Sequence, residues 1–326
     1  MKKYRLSNSF YNVLLINETD IDINSLKKYF YNYISVEECN DLNNADTILL
    51  IKKKYSFVNY DIKYTIDNHI LYFDRNDCVV LLLDNSDSEV IFLKRFIIDL
   101  MNRIIEKNGG IFLHGSTLVN NNNNKSIIFT GESNSGKTTN MLRLLEKSQF
   151  DYSSNERVAL IRDDNEIYSV GCPSNINVRI NTLRYNDSIF NKLCNYIDFN
   201  EYKIKTKICN NSIDTKLNFT ALQISNSFNK NIKPIGNIRC ICDLNYVVGH
   251  SFVMKELSEK EKLSVLKENL ISGVYSSRKD VFKKILLQEK SIDFRDFTDI
   301  KYYNIYHDNK DDNIEKILKL VKEDIL

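Results

Sequence analysis

Eight residues in the middle of the chain have the types and spacing of a phosphate-binding loop. They run from Gly131 to Thr138 and match the pattern G-x-x-x-x-G-K-[ST] at every fixed position. The two glycines let the backbone turn so that its N–H groups converge on phosphate oxygens. Lys137 can reach the β and γ phosphates, and the Thr138 hydroxyl can bind Mg²⁺. The predicted nucleotide-binding residues are Gly131, Ser133, Asn134, Ser135, Gly136, Lys137, Thr138 and Thr139.

A strand and a helix must hold this loop in place, and the flanking sequence predicts both. The apolar run Ile127 to Phe129 predicts a strand that leads in, and the stretch Thr139 to Lys147 has the apolar spacing of a helix that leads out. The N-terminus of that helix adds the positive end of its dipole to the site. Upstream, the apolar runs Gly110 to Leu113 and Ser126 to Phe129 on either side of Asn120 to Asn124 predict a hairpin with asparagines at its tip.

Carboxylates after the loop are candidates for a metal ligand or a general base, and the residues alone leave two choices. Glu156 follows about twenty residues after the loop. Asp163 and Asp164 follow the apolar run Val158 to Ile161, as the metal-binding aspartate of a P-loop protein would. The same two aspartates also lie between two apolar runs, which predicts the turn of a hairpin.

The order of motifs around the loop resembles the HPr serine kinase/phosphorylase family and its PEP-carboxykinase-like relatives. In that family a His-Gly or His-Ala pair precedes the loop, and an acidic pair followed by Arg and Val comes after it. Here His114-Gly115 and Asn155-Glu156-Arg157-Val158 occupy these places, followed by Pro173 and Arg179. The resemblance covers about residues 92 to 290.

The resemblance implies an ATP- and Mg²⁺-dependent kinase that phosphorylates a serine or threonine hydroxyl of a protein or peptide. It favours Glu156 over Asp163-Asp164 as the base, the metal contact or both. His114 would assist proton transfer, and Arg179 would neutralise the transferred phosphate. The implied catalytic residues are Glu156, His114, Lys137 and Arg179, and the implied metal ligands are Thr138 and Glu156.

Two departures from the family pattern favour its divergent relatives in peptide-modification pathways. Asn155 replaces the first acid of the pair, and Ile180 to Leu183 stands where the family has a Gly-rich loop. That loop is associated with the phosphorylase reaction and with HPr docking, so neither is expected here. Two other functions stay open: a nucleotide-binding regulatory protein without kinase activity, and a kinase of a small molecule such as free serine.

Composition excludes several classes of protein. The 326 residues carry 45 Lys+Arg and 43 Asp+Glu, so the net charge of +2 gives no reason to expect a nucleic-acid or membrane-surface partner. Because no stretch reaches the roughly 18 apolar residues of a membrane helix, we expect a soluble, cytoplasmic protein. The seven cysteines include no C-x-x-C pair, which argues against a disulfide framework or a zinc site.

The expected fold is mixed α/β (α+β), with an HPr-kinase/PEP-carboxykinase-like P-loop core over residues 91–326. Residues 1–90 are predicted to form a smaller N-terminal α/β lobe that could recognise the substrate. Helices are predicted over Phe96 to Ile105, from a Ser258 capping box to about Ile271, and over Asn313 to Leu326. The expected partner is a protein or peptide with a serine or threonine, and a homo-oligomer is compatible with the sequence.

Overall fold

The chain is known from a computed structural model that describes residues 1–41, 43–54, 62–66, 69–73, 78–83, 87–209, 215–274, 279–282, 292–308, 315–317 and 319. It divides into two compact units. Unit 1 comprises Met1–Ile111 and Ser272–Ile292, and unit 2 comprises Phe112–Ile271 and Asp293–Leu326. Each unit combines sheets with helices, so the predicted mixed α/β class is confirmed. The predicted domain boundary at residue 90 falls inside the helix Asp87–Lys107.

Unit 1 has a mixed sheet of seven strands among its described residues. In sheet order these are β3 (Ser35–Glu38), β1 (Lys2–Asn8), β2 (Tyr11–Asn17), β4 (Thr47–Lys53), β7 (Cys78–Leu83), β6 (His69–Phe73) and β5 (Ile62–Ile66). Strands β2, β4 and β7 run parallel to one another, and the other neighbours are antiparallel. Val79 to Leu83 are all buried, as is typical of a parallel strand covered on both faces.

Three helices complete the described part of unit 1. They are α1 (Ile23–Tyr29), α2 (Asp87–Lys107) and a single turn over Lys279–Phe282. Helix α2 includes the predicted stretch Phe96 to Ile105 but begins nine residues earlier. All ten residues from Phe96 to Ile105 are buried, so this part of the helix is enclosed on every side rather than on one face.

The main sheet of unit 2 contains the strand that leads into the phosphate loop. Its described strands lie in the order β11 (Phe150–Ser154), β9 (Ser116–Asn120), β10 (Lys125–Thr130), β16 (Ile235–Tyr246), β13 (Glu166–Gly171), β12 (Val158–Asp163), β8 (Ile111–Leu113) and β18 (Leu270–Ile271). Strand β19 (Lys301–His307) pairs with the second half of β16, and β17 (Val253–Glu256) pairs with β19. Because β10, β16 and β19 are parallel, their carboxyl ends lie at one edge.

The remaining described elements of unit 2 are a short ribbon, six helices and two 3₁₀ turns. A two-stranded antiparallel ribbon consists of β14 (Ile176–Arg179) and β15 (Lys216–Phe219). The helices are α3 (Lys137–Lys147), α4 (Ile180–Arg184), α5 (Asp187–Leu193), α6 (Phe199–Cys209), α7 (Ala221–Phe228) and α8 (Glu259–Glu268). Short 3₁₀ turns lie at Cys194–Tyr196 and Phe294–Phe297. Within the described ranges, no helix combines the length and the apolar character needed to cross a membrane.

Most local predictions in unit 2 are confirmed, but one helix ends early. Strands β9 and β10 form a hairpin with Asn120 to Asn124 at its tip, as predicted, but its first strand is Ser116–Asn120 and not the predicted run Gly110 to Leu113. Strands β12 and β13 form the second predicted hairpin. Ser258 and Glu261 form the predicted capping box. The helix does not continue to Ile271, because Asn269 caps it and the next two residues pair with Phe112 and Leu113. Apolar spacing does not distinguish a final helical turn from a two-residue strand.

The predicted helix over Asn313 to Leu326 is not tested. Apart from residues 315–317 and 319, it lies outside the described residues.

Candidate functional site

The phosphate loop opens onto a cavity of about 560 Å³ in unit 2. Its wall includes the seven consecutive residues Ser133 to Thr139 and, from other elements, His114, Glu156 and Arg179. All four predicted catalytic residues therefore lie on one cavity. Its volume is in the range of small-ligand sites in proteins. Gly131, where the loop begins, is not part of the lining.

The backbone of the loop has the shape that its glycines predict. Gly131 has a φ of +122°, and a Cβ atom there would overlap the carbonyl oxygen of Leu244, so no side chain fits. Gly136 has a φ of +90° and is the N-cap of α3, where it supplies no side-chain hydrogen bond. The first N–H groups of α3 therefore have no side-chain cap at this position and are available to an anion.

The Lys137 ammonium lies along the inside of this loop. Its Nζ atom donates hydrogen bonds to the carbonyl oxygens of Gly131 at 2.6 Å and Glu132 at 2.9 Å. Burial lowers the pKa of Lys137, and the Glu156 and Asp243 carboxylates oppose that effect. The cation is thus held at the place where phosphate oxygens would bind.

Glu156 and His114 form a hydrogen-bonded pair on the same cavity. His114 Nε2 lies 3.0 Å from Glu156 Oε2, and each side chain is 36% exposed. The hydrogen bond from His114 lowers the pKa of the Glu156 carboxyl, and burial acts in the opposite direction. Glu156 also has a φ of +71°, which is rare outside glycine and is often found at functional sites. An ionised, accessible carboxylate with an oriented imidazole can accept a proton.

Asn155 connects the Thr138 hydroxyl to the buried end of β9. Its Oδ1 atom accepts hydrogen bonds from Ser116 Oγ at 2.6 Å and from Thr138 Oγ1 at 3.2 Å. Because the Thr138 proton points to Asn155, the oxygen lone pairs are free to face a cation. Asn155 is 1% exposed, and its Nδ2 atom has no hydrogen-bond partner among the described residues.

These residues fit a magnesium ion that is bound mainly through phosphates. Mg²⁺ usually takes one or two protein ligands, with phosphate oxygens and water completing the shell. Thr138 and Glu156 line the same cavity and offer a hydroxyl and a carboxylate. In the part of the chain that the structure describes, no group of three or more His, Cys, Asp or Glu side chains could hold a metal.

Arg179 reaches the loop from the β14–β15 ribbon. Its guanidinium Nη2 donates to Ser133 Oγ at 3.1 Å. Lys216 lies directly opposite Arg179 on the ribbon and also lines the cavity. Lys216 was not predicted from the sequence, since no motif surrounds it.

The rival acidic pair lies elsewhere. Asp163 and Asp164 are exposed at the β12–β13 turn, where Asp164 has a φ of +50°. Neither residue lines the cavity. The structure therefore agrees with the prediction of a hairpin turn for this stretch. It does not place Asp163 or Asp164 where a metal-binding aspartate of the phosphate site would lie.

Asn269, which was also not predicted from the sequence, connects two parts of the site to the end of α8 by hydrogen bonds. Its Oδ1 atom accepts from the Gly131 N–H at 3.0 Å, and its backbone carbonyl accepts from the His114 N–H at 2.9 Å. One residue therefore positions both the first glycine of the loop and the histidine of the Glu156 pair. No sequence signal marks it, because it lies 138 residues from Gly131.

Two further residues, one on β16 and one on β19, contact the phosphate loop or the strand that precedes it. Asp243 lies opposite Thr130 and accepts its hydroxyl proton in a 3.0 Å hydrogen bond, and burial raises the pKa of Asp243. His307 is fully buried and its Nε2 atom lies 2.9 Å from the Ser135 carbonyl oxygen, so that nitrogen donates. Asp243 follows an apolar run and could have been found by that pattern, whereas His307 had no recognisable partner in the sequence.

Comparisons with known proteins give little beyond this geometry. No family model and no curated protein matches the chain. Among the solved structures, the Hpr(Ser) kinase/phosphatase from Coxiella burnetii is similar with a TM-score of 0.31 and 12% sequence identity. The similarity covers 65% of this chain and 94% of that one. That protein carries the name of the family that the motif order resembles. A similarity this low supports no function, so the function is argued below from the residues of the cavity alone.

Proposed function

We propose that the chain is an ATP- and Mg²⁺-dependent kinase that transfers the γ-phosphoryl group to a serine or threonine hydroxyl of a protein or peptide. The observation that carries this proposal is the His114–Glu156 pair on the cavity that the phosphate loop lines. A site that only bound nucleotide could use the Glu156 carboxylate for Mg²⁺, but it would not need a histidine that orients this carboxylate. A kinase uses a carboxylate placed to accept the proton of the acceptor hydroxyl beside the bound triphosphate.

In the proposed reaction the loop binds the triphosphate and the carboxylate receives the acceptor's proton. The N–H groups of the loop and the Lys137 ammonium bind the β and γ phosphates. Glu156 takes the hydroxyl proton as the acceptor oxygen forms its bond to the γ phosphorus, and the bond to the β-phosphate oxygen breaks to release ADP. His114 holds the carboxylate in position. Bound through Thr138 and Glu156, Mg²⁺ would neutralise phosphate charge.

The test compares two carboxylate variants of the full chain. Purified protein is incubated with ATP, Mg²⁺ and a library of peptides that contain serine or threonine, and phosphopeptides are measured by mass spectrometry. We expect Glu156→Gln to lower the transfer rate by about 10²–10⁴-fold, the usual contribution of a general base. ATP affinity, measured by calorimetry without Mg²⁺ so that the metal contact of Glu156 does not contribute, should change by less than about threefold, because the proton-accepting role of the carboxylate serves the transition state.

Asp163→Asn is the matched control, because it removes the exposed carboxylate of the rival pair. Its transfer rate should equal that of the wild type. An unimpaired Glu156→Gln variant, or an equally impaired Asp163→Asn variant, would contradict the assignment of the base.

A regulatory nucleotide-binding protein is the second candidate, and Asn155 is the observation that favours it. An amide replaces a carboxylate beside Thr138, which leaves fewer negative charges for a metal. This candidate predicts ATP binding without phosphorylation of any peptide. Adding free serine as an acceptor in the same assay distinguishes a small-molecule kinase from both.

A further inference from the structure

The β14–β15 ribbon presents two cations side by side to the cavity. Arg179 and Lys216 are directly opposite in the antiparallel register. Residues in this relation project from the same face of a ribbon, with Cβ atoms about 4.5–5.5 Å apart. The Arg179 guanidinium bonds Ser133 of the loop, so this face is turned towards the phosphate loop. Lys216 must project in the same direction, and it does line the cavity.

The backbone that carries Lys216 is fixed by its neighbours. Its carbonyl oxygen accepts a 2.6 Å hydrogen bond from Lys205 Nζ of helix α6. The carbonyl oxygen of the preceding residue, Thr215, accepts from the Ile180 N–H at the start of α4. Hydrogen bonds to α4 and α6 therefore fix the end of the ribbon, and with it the backbone from which the Lys216 side chain extends.

The charge of Lys216 acts on both ends of the proposed transfer. It lowers the pKa of Glu156, the proposed base, and it also lowers the pKa of Lys137, the cation of the phosphate loop. Charges interact to this extent only when they are close. The phosphoryl group must pass between these two residues, from the nucleotide held by Lys137 to the hydroxyl at Glu156.

The lining of the cavity carries an excess of positive charge. Among the described residues, Glu156 is the sole carboxylate on its wall. The cations on the same wall are Lys137, Arg143, Arg179 and Lys216. Gathering four like charges costs free energy unless a polyanion neutralises them. Lys137 is assigned to the triphosphate, Arg143 donates to Asn186 and Arg179 donates to Ser133, which leaves the Lys216 ammonium without an assigned role.

We propose that Lys216 binds the γ-phosphoryl oxygens during transfer and is a catalytic residue. The inference rests on the proposed kinase function. As the acceptor oxygen binds phosphorus and the bond to ADP lengthens, negative charge spreads over three equatorial oxygens of the phosphoryl group. The Lys216 ammonium donates hydrogen bonds to these oxygens and stays protonated throughout, since the acceptor's proton goes to Glu156.

The test separates transition-state binding from ground-state binding. Lys216→Met removes the charge and keeps the length of the side chain. We expect it to lower the transfer rate by about 10²–10³-fold, as for other donors to a developing oxyanion. The affinity for ADP with aluminium fluoride, which imitates the phosphoryl group in transfer, should fall by a similar factor. The affinities for ATP and ADP alone should change by less than about threefold.

Two further variants control for charge and for folding. Lys203→Met removes an exposed lysine of helix α6 that does not line the cavity, and it should match the wild type. Lys216→Arg keeps the charge and should recover about tenfold or more of the lost rate. A Lys216→Met variant that behaves like Lys203→Met, or that loses ATP affinity as strongly as transfer rate, overturns the inference.

The outcomes also distinguish this inference from the proposed function. If the wild type binds no nucleotide, or binds ATP and ADP but phosphorylates no acceptor and gains no affinity from aluminium fluoride, the kinase proposal fails and the inference fails with it. If the wild type phosphorylates peptides and Lys216→Met does so at the same rate, the inference alone is wrong.

Discussion

Both units contain a parallel strand followed by a loop and a helix, and the two loops differ in what occupies the helix N-terminus. In unit 1, β2 leads to α1, whose N-cap Asp22 accepts a hydrogen bond from the Asn24 N–H. In unit 2, β10 leads to α3, whose N-cap is Gly136 and supplies no side chain. The N-terminus of α1 in unit 1 is thus occupied by a carboxylate of the chain itself, whereas the N-terminus of α3 in unit 2 leaves room for an external anion.

The polar groups of the two loops differ in the same way. In unit 1, Asn17 at the end of β2 accepts from the Thr19 N–H and hydroxyl and donates to the Ile21 carbonyl. In unit 2, the Ser135 hydroxyl is buried without a hydrogen-bond partner among the described residues. A loop that satisfies its own polar groups is complete, whereas a loop with buried, unpaired groups requires a ligand or water. This contrast separates a structural turn from a binding site.

The largest expected effect comes from giving α3 the carboxylate that α1 has. Gly136→Asp should raise the dissociation constant of ATP with Mg²⁺ by about 100-fold or more, measured by calorimetry. A carboxylate at this position competes for the helix N–H groups and repels phosphate, at about 4 kcal/mol for unit charges 4 Å apart at an effective dielectric constant of 20.

Gly136→Asn separates charge from shape in this experiment. Asparagine has the same size and also tolerates a positive φ. It should bind ATP at least about tenfold more tightly than the aspartate variant. Equal affinities for the two variants would mean that bulk, and not charge, decides the difference between the loops.

A smaller effect is expected from His307, which ties the third parallel strand of unit 2 to the loop. Burial lowers the pKa of His307, so below its ordinary value of about 6.5 the unfolded chain binds a proton that the folded chain does not. The stability associated with the neutral imidazole is therefore complete above pH 6.5 and is lost as the pH falls through the folded pKa. Each unit of lowering corresponds to about 1.4 kcal/mol.

His307→Gln removes the titrating group and keeps a hydrogen-bond donor for the Ser135 carbonyl. Urea unfolding between pH 7.5 and 5 should show a shallower loss of stability for this variant than for the wild type. The nearby Asp308 and Arg143 are unchanged in both proteins and act on His307 in opposite directions. An identical pH dependence for the two proteins would show that His307 does not contribute in this range.

The smallest effect concerns the N-cap of unit 1. Asp22→Ala removes the carboxylate that fills the N-terminus of α1 and should lower the free energy of unfolding by about 1 kcal/mol. ATP affinity should not change, because the loop of unit 1 has no part in the proposed site. Urea unfolding and calorimetry measure the two quantities, and a loss of ATP affinity would contradict the division of roles between the two loops.

The phosphate loop, its flanking strand and helix, and the two hairpins were predictable because each depends on neighbours in the sequence. Glycine spacing and apolar periodicity specify them within about ten residues. The positions of His114, Glu156 and Arg179 on one cavity were expected only from the order of motifs, and their roles stay predictions.

The residues that sequence reasoning missed act across long separations. Asn269 contacts Gly131 through a helix end whose position depends on a two-residue strand, and His307 contacts Ser135 from the third parallel strand. Lys216 reaches the cavity only through its pairing with Arg179. Local patterns carry no information on such contacts, because the tertiary fold alone brings these residues together.

Because Asn269 makes two hydrogen bonds to different parts of the site, the geometry of the whole site depends on the position of the end of α8. The phosphate loop and the histidine beside the proposed base are separate in the sequence, yet both are positioned by hydrogen bonds to this one residue. A displacement there would misalign the phosphorus and the proton acceptor together, so damage at Asn269 could not be repaired by a compensating change in either segment alone. In a genetic screen, second-site suppressors of an Asn269 defect should therefore map to α8 and β18.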